Sequence, residues 1–200
     1  MIFPNAAICL QSMIGLSWLY VLTLYFQEVL GYGPLAAGLL FIPMTVSSVP
    51  AALFAGRFVT RFGAKPVAAT GLALIGAGVL LMTRMSETDG LAYVLCGMVA
   101  GECGFMLSNV PLTIAATGGG GEKGLASGLM NTSIQLGNAF GLAAVATVAA
   151  SGGAEAGEDL VGGLRWGLLV CAGFVALALP VVLLGLRSDA GRSESTAHPG

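Results

Sequence analysis

The chain has 200 residues, of which 56% are hydrophobic and only 9% are charged, and its formal net charge at neutral pH is −2. A soluble globular protein carries roughly 25% charged residues, so this composition excludes a water-exposed surface over most of the molecule and indicates that lipid is the main solvent. The slightly acidic balance and the lack of a basic run also exclude nucleic acid as a partner.

Six apolar runs are each close to the roughly 20 residues that a membrane-spanning helix needs. They cover residues 6–26, 34–55, 67–84, 91–117, 125–150 and 164–186. The sequence therefore predicts an all-α membrane protein in which six transmembrane helices form one bundle over residues 1–187. Residues 188–200 are polar and are expected to form a disordered cytoplasmic tail.

The charges between these runs predict the orientation of the bundle. One side of the membrane collects six basic residues, Arg57, Arg61, Lys65, Lys123, Arg187 and Arg192. The other side has two, Arg84 and Arg165, together with most of the acidic residues, Glu28, Glu87, Asp89, Glu155, Glu158 and Asp159. Because basic connections stay in the cytoplasm, both termini are expected there, in a multi-pass protein of the plasma (inner) membrane.

The first two runs carry polar residues and prolines. Gln11 and Ser12 lie within the first run and are candidates for a polar pathway through the membrane. Pro43 and Pro50 interrupt the second run, and Pro180 interrupts the sixth. Each proline removes a backbone hydrogen bond and favours a kink in its helix.

The connection between the second and third runs, residues 56–66, is short and basic. Its glycines and basic residues are Gly56, Arg57, Arg61, Gly63 and Lys65. The sequence predicts a tight cytoplasmic turn here, and the simplest role of its charges is to fix the orientation of the bundle.

Glu102 is the only ionisable side chain deep within one of the runs. A carboxyl group in a membrane is costly to bury, so it usually faces the bundle interior or water and marks a substrate or proton pathway. Asn109 lies seven residues further on, on nearly the same face of a helix. The alternative is that Glu102 is neutral and only forms a hydrogen bond with a neighbouring helix.

Four polar residues of the fifth run share one face of the predicted helix, Ser127, Asn131, Gln135 and Asn138. A row of amides is unfavourable against lipid, so it should face a cavity or another helix. Hydrogen bonding between helices, without any ligand, is the alternative role. Gly137 and Gly141 lie on a different flank and would allow another helix to approach closely.

No catalytic, cofactor or metal site is predicted, and the chain is not expected to be an enzyme. The only histidine, His198, lies in the tail, so no histidine is available to activate a nucleophile within the runs. The four cysteines lack the spacing of metal ligands and are expected to pack as small apolar side chains.

Three segments resemble a known family. The connection resembles the conserved short loop of the major facilitator superfamily, Gly-x-x-x-Asp-Arg-x-Gly-x-Arg/Lys, with Thr60 in the position of the aspartate. The matching residues are Gly56, Arg61, Gly63 and Lys65. Residues 124–137 are similar to the signature Gly-x-Ala-Ser-Gly-x-x-Asn-Thr-x-Arg-Gln-x-Gly of the fourteen-helix drug/proton antiporter branch, with Ile134 in place of the arginine. Residues 25–34 also resemble that branch.

The resemblance covers the chain from about residue 6 to residue 186 and implies the C-terminal six-helix bundle of this fold, which contains two inverted three-helix repeats. It implies proton-driven export of hydrophobic or amphipathic small molecules, the multidrug efflux type, by alternating access. Substrate would bind between this bundle and a second six-helix half, supplied by the same longer chain or by a partner subunit. Two alternatives stay open: a carrier of the same fold for another metabolite, and a membrane scaffold or remnant that does not transport.

Overall fold

A computed structural model describes residues 2–86, 90–117, 123–155 and 160–185. Several sequence-based predictions concern positions outside these ranges: the disordered tail 188–200 and the charged residues Glu87, Asp89, Glu158, Asp159, Arg187 and Arg192. The same holds for the side chains of Lys123 and Glu155, whose backbone alone is described.

The described residues form helices joined by short connections. In chain order these are α1 (Ile2–Leu24, continued by a π-helical turn Tyr25–Val29), α2 (Pro34–Leu40), α3 (Ile42–Phe62), α4 (Ala64–Met82), α5 (Leu91–Thr117), α6 (Lys123–Glu155) and α7 (Leu160–Gly185). Six segments are long and apolar enough to cross a membrane, and α2 and α3 together make the second of them. The predicted all-α, six-span fold class is confirmed.

Proline chemistry explains why the second span is divided into α2 and α3. Pro34 begins α2 directly after Gly33, whose backbone is extended. The helix is interrupted at Phe41, where the peptide N–H donates to the carbonyl of Gly38 in a tighter turn. Pro43 follows in the first turn of α3, where it has no N–H to continue the ladder. Pro50 and Pro180, in contrast, lie within continuous helices.

The predicted turn over residues 56–66 is wrong in its extent, because nearly all of it is helical. Helix α3 continues through Arg57 and Arg61 to Phe62, Gly63 alone lies outside a helix, and α4 begins at Ala64. Gly63 has a φ of +87°, which ends the helix and is strained for residues with a side chain. Hydropathy reports where the apolar run stops, whereas helical hydrogen bonding continues beyond it wherever the chain stays helix-competent.

The packing pattern matches two groups of three spans. The first group contains α1, α2–α3 and α4, and the second contains α5, α6 and α7. The second span of each group crosses the first span of the other, since α3 packs on α5 and α6 packs on α1, while the two third spans, α4 and α7, contact each other. Within the described residues, α3 and α6 belong to the two least buried spans. These two spans flank an open face of the bundle.

The crossing of α1 and α6 depends on two glycines. A Cβ atom added to Gly137 would overlap the carbonyl oxygen of Cys9, and one added to Gly141 would overlap the backbone of Met13. The close crossing expected at Gly137 and Gly141 is therefore present, and the partner helix is α1.

Candidate functional site

A cavity of about 400 Å³ opens between four of the six spans. The residues that line it are Ser12, Gly15, Leu16, Trp18 and Leu19 of α1, Met44 of α3, Glu102, Phe105 and Asn109 of α5, and Ile134 and Asn138 of α6. These are the first, second, fourth and fifth spans. The two remaining spans, α4 and α7, contribute no lining residue, so the cavity belongs to the face that α3 and α6 flank.

Glu102 is the only acidic residue that lines this wall. The residue is 7% exposed, and its carboxyl group makes no hydrogen bond or ion pair with any residue in the described part of the chain. It follows Gly101, where an added Cβ would overlap the ring of Trp18, so α1 and α5 are in close contact beside it. No neighbouring helix supplies a hydrogen-bond partner to Glu102 among the described residues, and its role in a pathway stays a prediction.

Phe105 and Asn109 continue the same wall along α5. Residues 102, 105 and 109 are separated by three and four positions, which places them on one face of a helix over about 10 Å of its length. A carboxyl group, an aromatic ring and an amide therefore follow one another along the cavity. Asn109 is half-buried and, like Glu102, has no hydrogen-bond partner among the residues that the structure describes.

Helix α6 supplies only part of its predicted polar row to the cavity. Asn138 lines the wall, whereas Asn131 and Gln135 are exposed and do not line it. Ile134, which replaces the arginine of the resembling signature, also lines the wall. None of the described lining residues is basic, so this cavity combines one carboxyl group with amides and a hydroxyl on an apolar surface.

Gln11 lies in a different place from the other polar candidates. It is 1% exposed and does not line the cavity. Its Nε2 donates to the carbonyl of Phe105 at 3.0 Å and to the Oγ of Ser108 at 2.8 Å. Its Oε1 is buried without a hydrogen-bond partner in the described ranges. The neighbouring Ser12 does reach the cavity, so the polar pair of α1 is divided between packing and the cavity wall.

Several lining residues were not identified from the sequence. Phe105 could have been found, because the spacing that connects Glu102 to Asn109 also includes it. Trp18, Leu16 and Met44 gave no such signal, because an apolar residue in an apolar run has the same periodicity whether it faces lipid, core or cavity.

The basic residues of the predicted loop lie at one end of the bundle, away from the cavity lining. The guanidinium carbon of Arg57 lies 5.9 Å from the ring centre of Phe54, and that of Arg61 lies 5.3 Å from the ring centre of Phe62. Thr60, in the position of the family's aspartate, donates its hydroxyl to the carbonyl of Arg57 at 2.8 Å. The remaining motif residues are Gly56 in α3, Gly63 at the junction and Lys65 in the first turn of α4.

At the opposite end, two side chains hold the connection between α4 and α5. The hydroxyl of Tyr25 donates to the carbonyl of Ser86 at 2.7 Å, and the guanidinium of Arg165 donates to the carbonyl of Met85. This arrangement joins the end of α1 and the start of α7 to the same connection. Neither contact was expected from the sequence, because each pairs residues that are far apart in the chain.

The lining combines apolar surface with one carboxyl group, two amides and one hydroxyl group, a composition typical of small-molecule binding sites. In the ranges that the structure describes, no cluster of three metal-ligating side chains occurs.

Comparison with known proteins places this geometry in context. Residues 6–200 match the sequence model of the family described as Major Facilitator Superfamily. The chain is 32% identical over 148 residues to the multidrug resistance protein Stp of Mycobacterium tuberculosis, which covers 73% of this chain and 27% of that protein. It is 33% identical over 176 residues to the cephamycin export protein CmcT of Amycolatopsis lactamdurans, covering 84% and 36%. It is 30% identical over 140 residues to the multidrug efflux pump LfrA of Mycolicibacterium smegmatis, covering 68% and 28%.

The matched region spans about a quarter to a third of the length of these relatives. The family match extends over nearly the whole chain, and the described residues contain six segments that are long and apolar enough to cross a membrane. The chain is thus a multi-pass membrane protein, and it belongs to the Major Facilitator Superfamily.

Proposed function

We propose that this bundle is one half of a proton-coupled transporter that exports hydrophobic or amphipathic small molecules. The observation that carries the proposal is the carboxyl group of Glu102, which lies in an open cavity with both polar and apolar lining and has no partner among the described residues. The names of the relatives, which refer to multidrug resistance, cephamycin export and multidrug efflux, support the same function.

The cavity wall favours substrates with an apolar body and one or two polar groups. Leu16, Phe105 and Ile134 provide aliphatic and ring surface for the apolar body. Asn109 and Asn138 provide amides that can donate to or accept from a polar group of many shapes. Few directional contacts and much apolar surface favour a broad range of substrates rather than a single one.

Glu102 is the residue we assign to proton exchange. A carboxylate in an apolar cavity is costly when it has no counter-charge, and taking up a proton removes that cost. Release of the proton and binding of substrate would then alternate at the same wall. Because the two events share one site, the inward flow of protons can be coupled to outward movement of substrate.

A second six-helix half is required for this cycle. Alternating access needs two bundles that rock about a shared site, and the cavity here is open on the face flanked by α3 and α6. Asn131 and Gln135 are exposed on α6, where amides would be unfavourable against lipid. We assign these amides to contacts with the second half, from the same longer chain or from a partner subunit.

The orientation follows from charge. Arg57, Arg61 and Lys65 lie together at one end of the bundle, whereas Glu28 lies at the other. The positive-inside rule favours the basic end in the cytoplasm of a plasma (inner) membrane, with both termini on that side.

The test is to replace Glu102 by Gln at its natural chromosomal position, so that the bundle keeps whatever chain and partners it has in the cell. A pH gradient is then imposed across inverted membrane vesicles, a lipophilic fluorescent dye is added outside them, and the amount of dye that accumulates inside is measured. The variant should accumulate no more dye than vesicles from a strain that lacks the gene, because the amide cannot carry the proton.

The matched control is Glu28→Gln, the same chemical change at an exposed carboxyl group outside the cavity. It should retain gradient-driven accumulation. If Glu102→Gln is present in the membrane at normal amounts and accumulates dye as well as the unmodified protein, Glu102 does not couple protons to export. If dye accumulation does not depend on the gene at all, the scaffold alternative is favoured instead.

A further inference from the structure

An apolar groove lies beside α3, between α3, α4 and α5. It consists of two adjoining hollows of about 420 Å³ each, which share Phe58 and Leu107 in their walls. One hollow reaches Pro66 and Thr70 on α4, and the other reaches Pro50 further along α3. The groove thus follows α3 for several turns and ends at the basic end of the bundle.

The groove and the cavity lie on different flanks of the crossing between α3 and α5. Helix α5 presents Phe105 and Asn109 to the cavity but Cys103 and Leu107 to the groove. At 100° per residue, Cys103 lies about 160° around the helix from Phe105 and Leu107 lies about 160° from Asn109. A substrate in the cavity therefore has no direct contact with the groove, and the role of the groove is independent of the proposed transport function.

The wall of the groove offers almost nothing to a polar ligand. Its two hydroxyl groups already donate to their own helices, Ser47 to the carbonyl of Met44 at 2.8 Å and Thr70 to the carbonyl of Val67 at 3.0 Å. The rest of the wall is aromatic, aliphatic, proline and cysteine. An apolar chain fits this surface, since no donor of the wall would be left without a partner.

A phenylalanine row, Phe54, Phe58 and Phe62, connects the groove to three cations. Neighbouring rings of the row have centroid separations of 6.3 Å and 6.1 Å. Arg57 and Arg61 lie over the first and last rings, and Lys65 precedes the groove residue Pro66. None of the three cations has an ion pair with another residue in the described ranges.

We propose that the groove binds an anionic phospholipid, with one acyl chain along the phenylalanine row and the phosphate near Arg61 and Lys65. A guanidinium and an ammonium group together recognise a phosphate with a net negative charge. A bilayer lipid provides both the apolar chain and the anion in one molecule. An apolar helix of another protein would fill the groove but would leave the cations without a counter-charge.

The experiment measures which lipid is next to the groove. The full chain carrying Phe58→Trp is reconstituted into vesicles of phosphatidylcholine with a minor fraction of phosphatidylglycerol, and bromine is placed on the acyl chains of one lipid or the other. Bromine quenches nearby indole fluorescence, and the signal of Trp18 and Trp166 is measured in the unsubstituted chain and subtracted. Per molecule, brominated phosphatidylglycerol should quench at least about fivefold more strongly than brominated phosphatidylcholine, as expected when basic residues attract an anionic lipid.

The double variant Arg61→Gln with Lys65→Gln should lose this preference, whereas Arg84→Gln, which removes a cation at the other end of the bundle, should retain it. Native mass spectrometry of the chain without the tryptophan substitution provides a second readout and should show retained phosphatidylglycerol but not phosphatidylcholine. Equal quenching by the two lipids, or a preference that survives the double variant, would overturn the proposal. Protection of the introduced indole from both lipids would also overturn it and would show that protein covers the groove.

Discussion

Two sets of polar side chains lie within the apolar bundle, both at the contact of α1 with α5. They differ in whether they form hydrogen bonds within the bundle. Gln11 and Ser108 are almost fully buried and are joined by a hydrogen bond of 2.8 Å between the two helices. Glu102 and Asn109 lie on the same stretch of α5, yet they face the cavity and have no partner among the described residues.

The difference between these sets shows that depth in an apolar run does not define the role of a polar residue. The Nε2 atom of Gln11 donates to the Oγ atom of Ser108, so these two side chains contribute to the packing of α1 on α5. Glu102 and Asn109 line the cavity without a hydrogen-bond partner among the described residues, so no contact within the bundle accounts for their polarity. Ser108 and Asn109 are adjacent in sequence but belong to different sets, because adjacent residues of a helix point in different directions.

The largest expected effect comes from a matched pair of substitutions at these neighbouring positions. Ser108→Leu should lower the free energy of unfolding by about 3 kcal/mol, because Ser108 is fully buried against α4 and has no room for a larger side chain. Asn109→Leu should change it by no more than about 0.5 kcal/mol, because the cavity has space for the side chain.

Both values can be measured by unfolding in detergent, with the reactivity of the buried thiol of Cys171 as the probe. Equal destabilisation by the two leucines would remove the distinction between the packed set and the cavity set.

An intermediate effect on the free energy of unfolding is expected when the hydrogen bonds from Gln11 of α1 to α5 are removed. Gln11→Leu should cost about 1 kcal/mol, because hydrogen bonds between membrane helices are individually weak. Gln135→Leu is the control, because this glutamine is exposed on α6 and should change stability little. In a double-mutant cycle with Ser108→Ala, the coupling to Gln11 should be about 0.6 kcal/mol. A coupling of zero would show that the pair does not stabilise the bundle.

The smallest effect is expected for Glu102→Gln on stability. Since the carboxyl group has no partner to lose in the described bundle, the free energy of unfolding should change by less than about 0.5 kcal/mol. The same unfolding assay applies, with Glu28→Gln as the reference. A loss comparable to that of Gln11→Leu would place Glu102 in the packed set and would argue against its role in proton exchange.

The six spans could be predicted from the sequence because a bilayer imposes one rule on every span, namely an apolar surface over the length of a helix. The limits of the helices could not be predicted in the same way. Arg57 and Arg61 end the apolar run but not the helix, which stops only at Gly63. Hydropathy measures the solvent preference of side chains, whereas a helix ends where the backbone conformation changes.

The candidate site was predicted in part. Glu102, Asn109 and Asn138 were identified from their polarity and spacing, and the structure places all three in one cavity wall. Gln11 and Asn131 carry the same kind of signal but lie elsewhere. Periodicity gives the angle between two residues of one helix, but it does not give the direction in which that face points across the bundle. Their roles in transport stay predictions.

Gly63 also limits how the bundle can move. A single non-helical residue joins α3 to α4, so the connection between them has no extra length. Sliding α3 along α4 by one turn, about 5.4 Å, would require additional linker length, whereas pivoting about the glycine requires none. At its far end α3 meets a second joint at Phe41. A tilt of α3 about these two turns would move Met44, the residue that α3 contributes to the cavity wall, and would thereby change the width of the cavity.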